Sequence, residues 1–333
     1  MKIINQEIPN LILGASLLSS GGGLSYQEQL NTYQRLFKEH ANFEAKLVNV
    51  SDLSKNSFLT VCGEAGPTNL PPLEKKMAGR LVFELEKISG KKINGLLPLE
   101  IGQEMIVLET AYYSQLPVVD ADLAGGRAVP MIYLTLPFLL GFKLDLSPVV
   151  AVNSQGVVKV LKKVNSLESI DNFLDKFSKE SQGVVFFLSG VLATKTIKKF
   201  INLSSYSKLI KLGNNKNLNN INKGLYKVVQ LELFKKEISL IQKITLKNDQ
   251  DELTIFSQNE YLSVYSKQAN KVIYQAPQII SLVDVNKGFG INSGDLQKQM
   301  MVNLYVFNPI KQLSVNRVKL KWEKFIQKEL KHL

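Results

Sequence analysis

The segment Leu116 to Pro130, LPVVDADLAGGRAVP, sets Asp120 and Asp122 directly after an apolar run. The adjacent glycines Gly125 and Gly126 follow, and then the guanidinium of Arg127. A buried strand has no use for these residue types. Two residues apart on an extended chain, the carboxylates share a face. A carboxylate can serve as a general base or hold a metal ion, and a guanidinium beside it can hold developing negative charge. The same residues have a structural reading, in which one aspartate caps the next helix and pairs with Arg127. On spacing alone the structural reading is the stronger. Two further stretches bear on the choice. LLPLEIGQE (96–104) delivers Glu100 and Gly102 after another strand-like run. LILGASLLSSGGGLSYQEQL (11–30) reads as a helix running into Gly21, Gly22 and Gly23, then a serine and a second helix. Such a loop can offer backbone N–H groups to an anion or a carbonyl. No lysine–serine pair follows it and no strand precedes it, so it is neither a Walker loop nor a dinucleotide fingerprint.

The framework around these residues changes in kind along the chain. Up to about Leu212, the runs AKLVNV, SFLTVCG, KINGLLPLE, LPVVDAD and GVVFFLSG read as strands between helical patterns. PPLEKKMAGRLVFELEKISG (71–90) has the proline start, early acid and glycine stop of a helix. This alternation predicts an α/β domain over 1–222 with a mostly parallel sheet. Ligands of such sheets gather outside the carboxyl ends of the strands, where loops are free of packing. After a polar linker at 213–223, DELTIFSQNEYLSVYS and NKVIYQAPQIISLVDV are short, β-branched and aromatic, and predict a β-rich domain over 223–316. Residues 317–333 place Trp322, Phe325, Ile326, Leu330 and Leu333 at helical spacing, an amphipathic helix expected to dock on its own domain. A partner or membrane-surface helix is the alternative.

Composition narrows the chemistry. With 333 residues, 45% of them hydrophobic, the chain can build one large or two ordinary cores. The single Cys62 excludes an intrachain disulfide, and with only His40 and His332 beside it no Cys/His zinc set can form, so any metal must be held by oxygen. Residues 1–150 carry 13 Lys and Arg against 15 Asp and Glu, a net of −2. The remainder carries 28 against 14, or +14, and together they make the overall +12. The lysines of KLIKLGNNKNLNNINKG (208–224) are dispersed among asparagines and isoleucines, which reads as a solvated face and excludes a specific nucleic-acid partner. The apolar stretch NLILGASLLSS follows Glu7 and has only Lys2 ahead of it, a poor signal peptide. The longest apolar run, MIYLTLPFLLGF, falls short of a membrane span. The expected compartment is the cytoplasm.

Together, several stretches resemble the S-methyl thiohydantoin desulfurase family. They are Gly21–Gly23, the "GPT" of Gly66, Pro67 and Thr68, LPLEIG (97–102), LPVVDAD with the Gly-Arg-Ala and proline that follow (116–130), and FSQNEYL (256–262). The resemblance runs over roughly residues 8–305. It implies an α/β domain followed by a β domain, and hydrolysis of a small cyclic amide such as an S-methyl thiohydantoin or hydantoin. On that reading Asp120, Asp122 and Arg127 are catalytic, and Gly21, Gly22, Gly23, Glu100 and Gly102 bind the ligand. Water is activated directly or through a divalent ion such as Mg²⁺ on Asp120, Asp122 and Glu100. The sequence departs from the family pattern at Leu123, at the extra residue before Arg127, at Gln103–Met105, and at Met131, where the family has an acid. Met131 favours the alternative of a non-catalytic binding or accessory subunit beside a hydantoinase-like partner. A homo-oligomer is the remaining partner expectation.

Overall fold

The alternating runs before residue 212 fold as a three-layer α/β unit in the computed structural model, which describes residues 2–66, 75–215, 218–236 and 239–330. Its sheet uses β1 (Lys2–Ile3), β2 (Lys46–Val48), β3 (Phe58–Ala65), β4 (Ile93–Pro98) and β5 (Val118–Val119). The chain leaves it through β6 (Ala121–Asp122) and returns with β7 (Val149–Asn153), β8 (Val158–Leu161) and β9 (Val185–Ala193). The order is β1-β2-β5-β4-β3-β9-β7-β8. The four strands from β2 to β3 run parallel, while β1 and the β3-β9-β7-β8 margin pair antiparallel. The expected parallel character therefore holds at the centre of the sheet. In β9, Phe186 and Leu188 face one core and Val185 and Phe187 the other. Burial on both faces is why these strands read as unbroken apolar runs rather than alternating ones.

Helices α1 (Ile8–Leu18), α2 (Tyr26–Glu39), α3 (Lys75–Ser89) and α4 (Glu104–Ser114) pack on one face. The chain then forms α5 (Leu136–Leu139), α6 (Leu167–Ser181), α7 (Thr194–Ile197) and α8 (Ser205–Gly213). Helix α6 covers the opposite face through Ile170, Leu174 and Phe177, and α8 returns to the first beside α1. The NLILGASLLSS stretch is α1, with Ile8, Leu11, Ile12 and Ala15 fully buried. Gly14 lies so close to the Leu209 carbonyl that a Cβ there would collide with α8. Gly90, at φ +65°, ends α3 as expected, and the proline start proposed for that helix lies outside the described residues.

Beyond β10 (Asn202–Leu203), which pairs with β6, the β-rich half is one antiparallel sheet. It contains β11 (Asn222–Lys236), β12 (Ser239–Lys247), β13 (Glu252–Gln258), β14 (Glu260–Ser266), β15 (Lys271–Gln275), β16 (Ile279–Asp284) and β17 (Met301–Phe307). The order is β15-β14-β13-β12-β11-β17-β16. The terminal helix α9 (Asn316–Leu330) buries Val318, Trp322, Phe325 and Ile326. They pack against Leu136 and Leu139 of α5 and against Ile241, Phe256 and Leu262 of the second sheet. The helix thus bridges both halves rather than resting on one. Leu330, expected on its apolar face, is 40% exposed, and Leu333 lies outside the described residues. Among the described residues no helix is long and apolar enough to cross a membrane.

Candidate active site

A cavity of about 340 Å³ opens at the carboxyl ends of β3 and β4, the position at which parallel sheets bind ligands. Glu64 and Ala65 end β3, and Leu99, Glu100 and Gln103 follow β4. The Gly21–Gly23 turn between α1 and α2 forms a second wall. Ser25 caps α2 in a reciprocal pair with Glu28, which fixes where that turn ends. The second sheet closes the cavity with Asn259 and Glu260 at the β13–β14 turn and Asn292–Asp295 after β16.

Backbone contacts knit these loops together. Leu24 N–H donates to the Gly102 carbonyl (2.8 Å), Tyr261 N–H to Ser20 (2.6 Å) and Ser293 N–H to Gly21 (2.8 Å). Asn292 Nδ2 donates to the Gly23 carbonyl at 2.6 Å. Gly23, at φ +66°, stands where a Cβ would come within 2.7 Å of the Gly102 carbonyl oxygen. At Gly22 a Cβ would meet the Glu260 carboxylate. The glycines expected to bind ligand thus admit the backbone and Glu260 to positions that a larger residue would fill.

The cavity is rich in carboxyl groups, and Lys, Arg and His are absent from its described lining. Glu100 is held from two sides: Gln103 Nε2 donates to its Oε1 (2.8 Å) and Val129 N–H to its Oε2 (2.8 Å). Gln103 is fixed in turn by the Glu64 backbone, accepting from its N–H at 3.1 Å. Glu260 is only 3% exposed, and its Oε2 has no hydrogen-bond partner; Oδ1 of Asn292, itself 6% exposed, also lacks one. Burial pushes the Glu260 carboxyl up to about 8, against the lowering pull of its own backbone and Arg127. Glu100 is raised well above its usual range, first by burial and then by the Glu260 carboxylate. Glu64 is pushed up to about 8 by desolvation and by Glu28. Buried carboxyls that keep their proton near neutrality are suited to general acid–base chemistry.

Arg127 lies behind this pair. It is fully buried, with its guanidinium 4.5 Å from the Trp322 ring centroid. Nε donates to the Ala128 carbonyl (2.9 Å), Nη1 donates to the Gln278 carbonyl (3.2 Å), and Nη2 has no partner. Burial lowers its pKa to about 10, opposed by Glu260 and Glu100, so the group stays cationic at neutral pH. One guanidinium can balance one of the two carboxylates, which leaves the other to hold a proton.

Asp120 and Asp122 are not part of the cavity lining. They share a face, as their spacing requires, but α8 covers that face. Asp120 accepts from Ser207 N–H (3.2 Å) and Ser207 Oγ (2.6 Å), satisfying the first turn of α8. Asp122 is fully buried and accepts from Gly125 N–H (2.6 Å), Gly126 N–H (2.9 Å), Asn202 Nδ2 (2.8 Å) and Ser205 Oγ. No salt bridge joins either aspartate to Arg127 among the described residues. The four groups expected to converge thus separate: Glu100 lines the cavity, Arg127 lies beneath it, and the aspartates bind α8. Gly102 accepts from Leu24 and supports the glycine turn from outside the lining. Among the described residues no group of three or more Asp, Glu, His or Cys is placed to hold a metal ion. Asp122, with four donors already on its oxygens, does not fit the Mg²⁺ role expected of it.

Glu260, Asn292, Glu64 and Asp171 join the site without a local signal that marks them as site residues. Within FSQNEYL, Glu260 stands out only as part of the family resemblance. The raised carboxyls give a testable dependence on pH. In the unfolded chain Glu260 and Glu104 titrate near 4.5; folded, burial raises them to about 8 and about 7. Between those values the native state binds more protons than the unfolded state, so stability falls as pH rises from about 5 to 8 and then levels. At about 1.4 kcal/mol for each tenfold gain in proton affinity on folding, each group contributes at most a few kcal/mol. Urea midpoints measured across that range check the sign, and a steady rise would contradict it.

Residues 6–163, just under half of the chain, match the family described as S-Me-THD-like, N-terminal domain. The protein is also similar to a crystal structure of a protein from Chromobacterium violaceum, with a TM-score of 0.74 at 16% identity over 97% of this chain and 96% of that one. At that identity the likeness shows the fold alone. No curated protein matches the chain.

Proposed function

We propose, on the premise of the match of residues 6–163 to the S-Me-THD-like, N-terminal domain family, that the cavity binds and hydrolyses a small cyclic amide of the S-methyl thiohydantoin or hydantoin class. The observation that carries the reading is the pair of buried, unpartnered acceptors, Glu260 Oε2 and Asn292 Oδ1, on one cavity wall. Unsatisfied buried acceptors are costly, and a bound molecule with ring N–H groups would satisfy them. The volume suits a compact ring with a short substituent.

In the reaction proposed for an S-methyl thiohydantoin, water attacks the ring carbon that bears the thioether and is doubly bonded to nitrogen. In molecules whose Glu260 is ionised, a fraction that grows as pH rises toward 8, the Glu260 carboxylate takes one water proton as the C–O bond forms. It returns that proton to methanethiolate as the C–S bond breaks. The second water proton passes to the ring nitrogen, and the products are the hydantoin and methanethiol. Glu100, held by Gln103 and Val129, is a positioning and charge-setting group, and Arg127 favours the ionised form of Glu260 that accepts the proton. The chemical role expected of Asp120 and Asp122 passes to Glu260 in this reading, because the aspartates' oxygens already serve α8 and the Gly125–Gly126 turn.

A second reading, that of a binding or accessory subunit, is favoured by Met131, an apolar side chain in the cavity lining where the family has an acid. One experiment separates the two. The protein is incubated with S-methyl thiohydantoins, methanethiol is followed with a thiol-reactive dye, and binding is measured by calorimetry. Thiol release above the uncatalysed rate supports the hydrolase, and binding without release supports the accessory protein. No binding of either S-methyl thiohydantoins or hydantoins by calorimetry would overturn both.

A further inference from the structure

The cation behind the cavity is held by a residue from the far end of the chain. Arg127 is fully buried, and three groups fix its guanidinium: the Ala128 carbonyl on Nε, the Gln278 carbonyl on Nη1, and the ring of Trp322, whose centroid lies 4.5 Å away. None of the three carries a charge. Trp322 is itself fully buried on α9, and Lys321 beside it donates to the Phe138 and Leu139 carbonyls (2.8 and 3.0 Å), which pins the helix to the end of α5. The charged groups that act on Arg127 are Glu260 from β14 and Glu100 after β4, with Glu64 and Glu104 acting on Glu100 in turn. Among the described residues no carboxylate bonds to Arg127. Gln103 and Val129 take the Glu100 oxygens, while Glu260 Oε2 and Arg127 Nη2 both remain without a partner. A desolvated guanidinium near a buried carboxylate ordinarily closes to a charge-assisted pair. Here two carbonyls and an aromatic face hold it short of that contact, the negative face of the ring stabilising the cation where it stands. A closed pair would hold Glu260 ionised throughout the neutral range.

We propose that Trp322 is a positioning residue: its ring keeps Arg127 from a direct ion pair with Glu260, and so leaves that carboxyl able to take up and release a proton. The inference rests on the reading of Glu260 as the proton carrier. The Glu260 carboxyl, held up to about 8 by burial against only a partial pull from Arg127, behaves as an acid without a contact partner.

Trp322 is the single tryptophan of the chain, so growth on fluorinated tryptophans alters this ring alone, draining charge from its face while nearly keeping its shape. The full chain, labelled with ¹³C-glutamate, is titrated by NMR without any ligand, and the Glu260 signal is identified as the one missing from Glu260→Gln. The Glu260 midpoint is expected to fall stepwise through mono-, di- and trifluorotryptophan, and by at least about one pH unit in Trp322→Leu. Trp322→Phe, which keeps an aromatic face, is expected to lie between wild type and Trp322→Leu. In the double variant Trp322→Leu with Arg127→Met the midpoint should not fall below wild type, because no guanidinium remains to close. A midpoint that stays within about 0.2 pH unit of wild type across the fluorinated series, or rises, overturns the proposal. A fall that persists without Arg127 overturns it as well. The pH of half-maximal thiol release should follow the same midpoint. An NMR shift with no matching kinetic shift leaves the hold of Trp322 on Arg127 standing and overturns the reading of Glu260 as the proton carrier.

Discussion

Glu260→Gln is expected to lower kcat for thiohydantoin hydrolysis about 10²–10⁴-fold, the range over which a positioned acid or base contributes to catalysis. The side chain keeps its shape and can no longer carry a proton between water and methanethiolate. Because the native carboxyl is held near 8 by burial, the substitution removes a group that is costly to ionise, and the variant is expected to fold with equal or greater stability at pH 8. KM should change little where the amide oxygen still accepts from the ring. Rapid-quench measurement of thiol release, beside a urea melt of the same preparation, separates the two effects. Turnover unchanged within about twofold would remove Glu260 from the chemistry, since loss of a proton carrier cannot be silent at that level.

Asp122→Ala is expected to act in the opposite sense, on folding rather than on chemistry. The carboxylate gathers two backbone N–H groups from the Gly125–Gly126 turn, the amide of Asn202 and the hydroxyl of Ser205, all buried. Truncation leaves these donors unpaired. At about 1–3 kcal/mol for each buried group left unsatisfied, and with partial relaxation, a loss of about 3–5 kcal/mol is expected. Burial raises the Asp122 pKa while Ser205, Gly126, Asn202 and Gly125 lower it, in that order, so the network exists chiefly to offset desolvation. Asp122→Asn should fall between wild type and alanine, because an amide retains one acceptor and turns a second donor toward the donors already present. The urea midpoint should fall with the slope unchanged. An unaltered midpoint with turnover abolished would return the chemical role to Asp122.

Local patterns along the chain were enough to specify the layers and the neighbourhood of the cavity. Alternation of apolar runs with helical patterns specifies an α/β unit, because a helix and a strand bury their faces with different periods. The β-branched runs after residue 222 specify a second, β-rich unit, and the structure shows its sheet to be antiparallel. The glycine turn at 21–23 and the polar strand end at Glu100 were legible because a loop signal and an acid after a strand are local features. The capping pair Ser25 and Glu28 is local in the same sense.

Which carboxylates face the cavity is a matter of tertiary packing. Period-two geometry put Asp120 and Asp122 on one face correctly, but what covers that face is α8, whose Ser205 and Ser207 lie more than eighty residues along the chain. No spacing within LPVVDAD could say so. Glu260 and Asn292 reach the site from another sheet, across 238 and 270 residues from Gly22 by their numbering (260 − 22 and 292 − 22). Their character depends on burial: at a surface turn Glu260 would be an ordinary acid, and enclosure beside Gly22, with Arg127 near, raises its carboxyl to about 8. Propensity and periodicity act over one or two turns of chain, whereas desolvation is set by everything that packs within a few ångströms, and that neighbourhood exists only after the two halves have closed on each other.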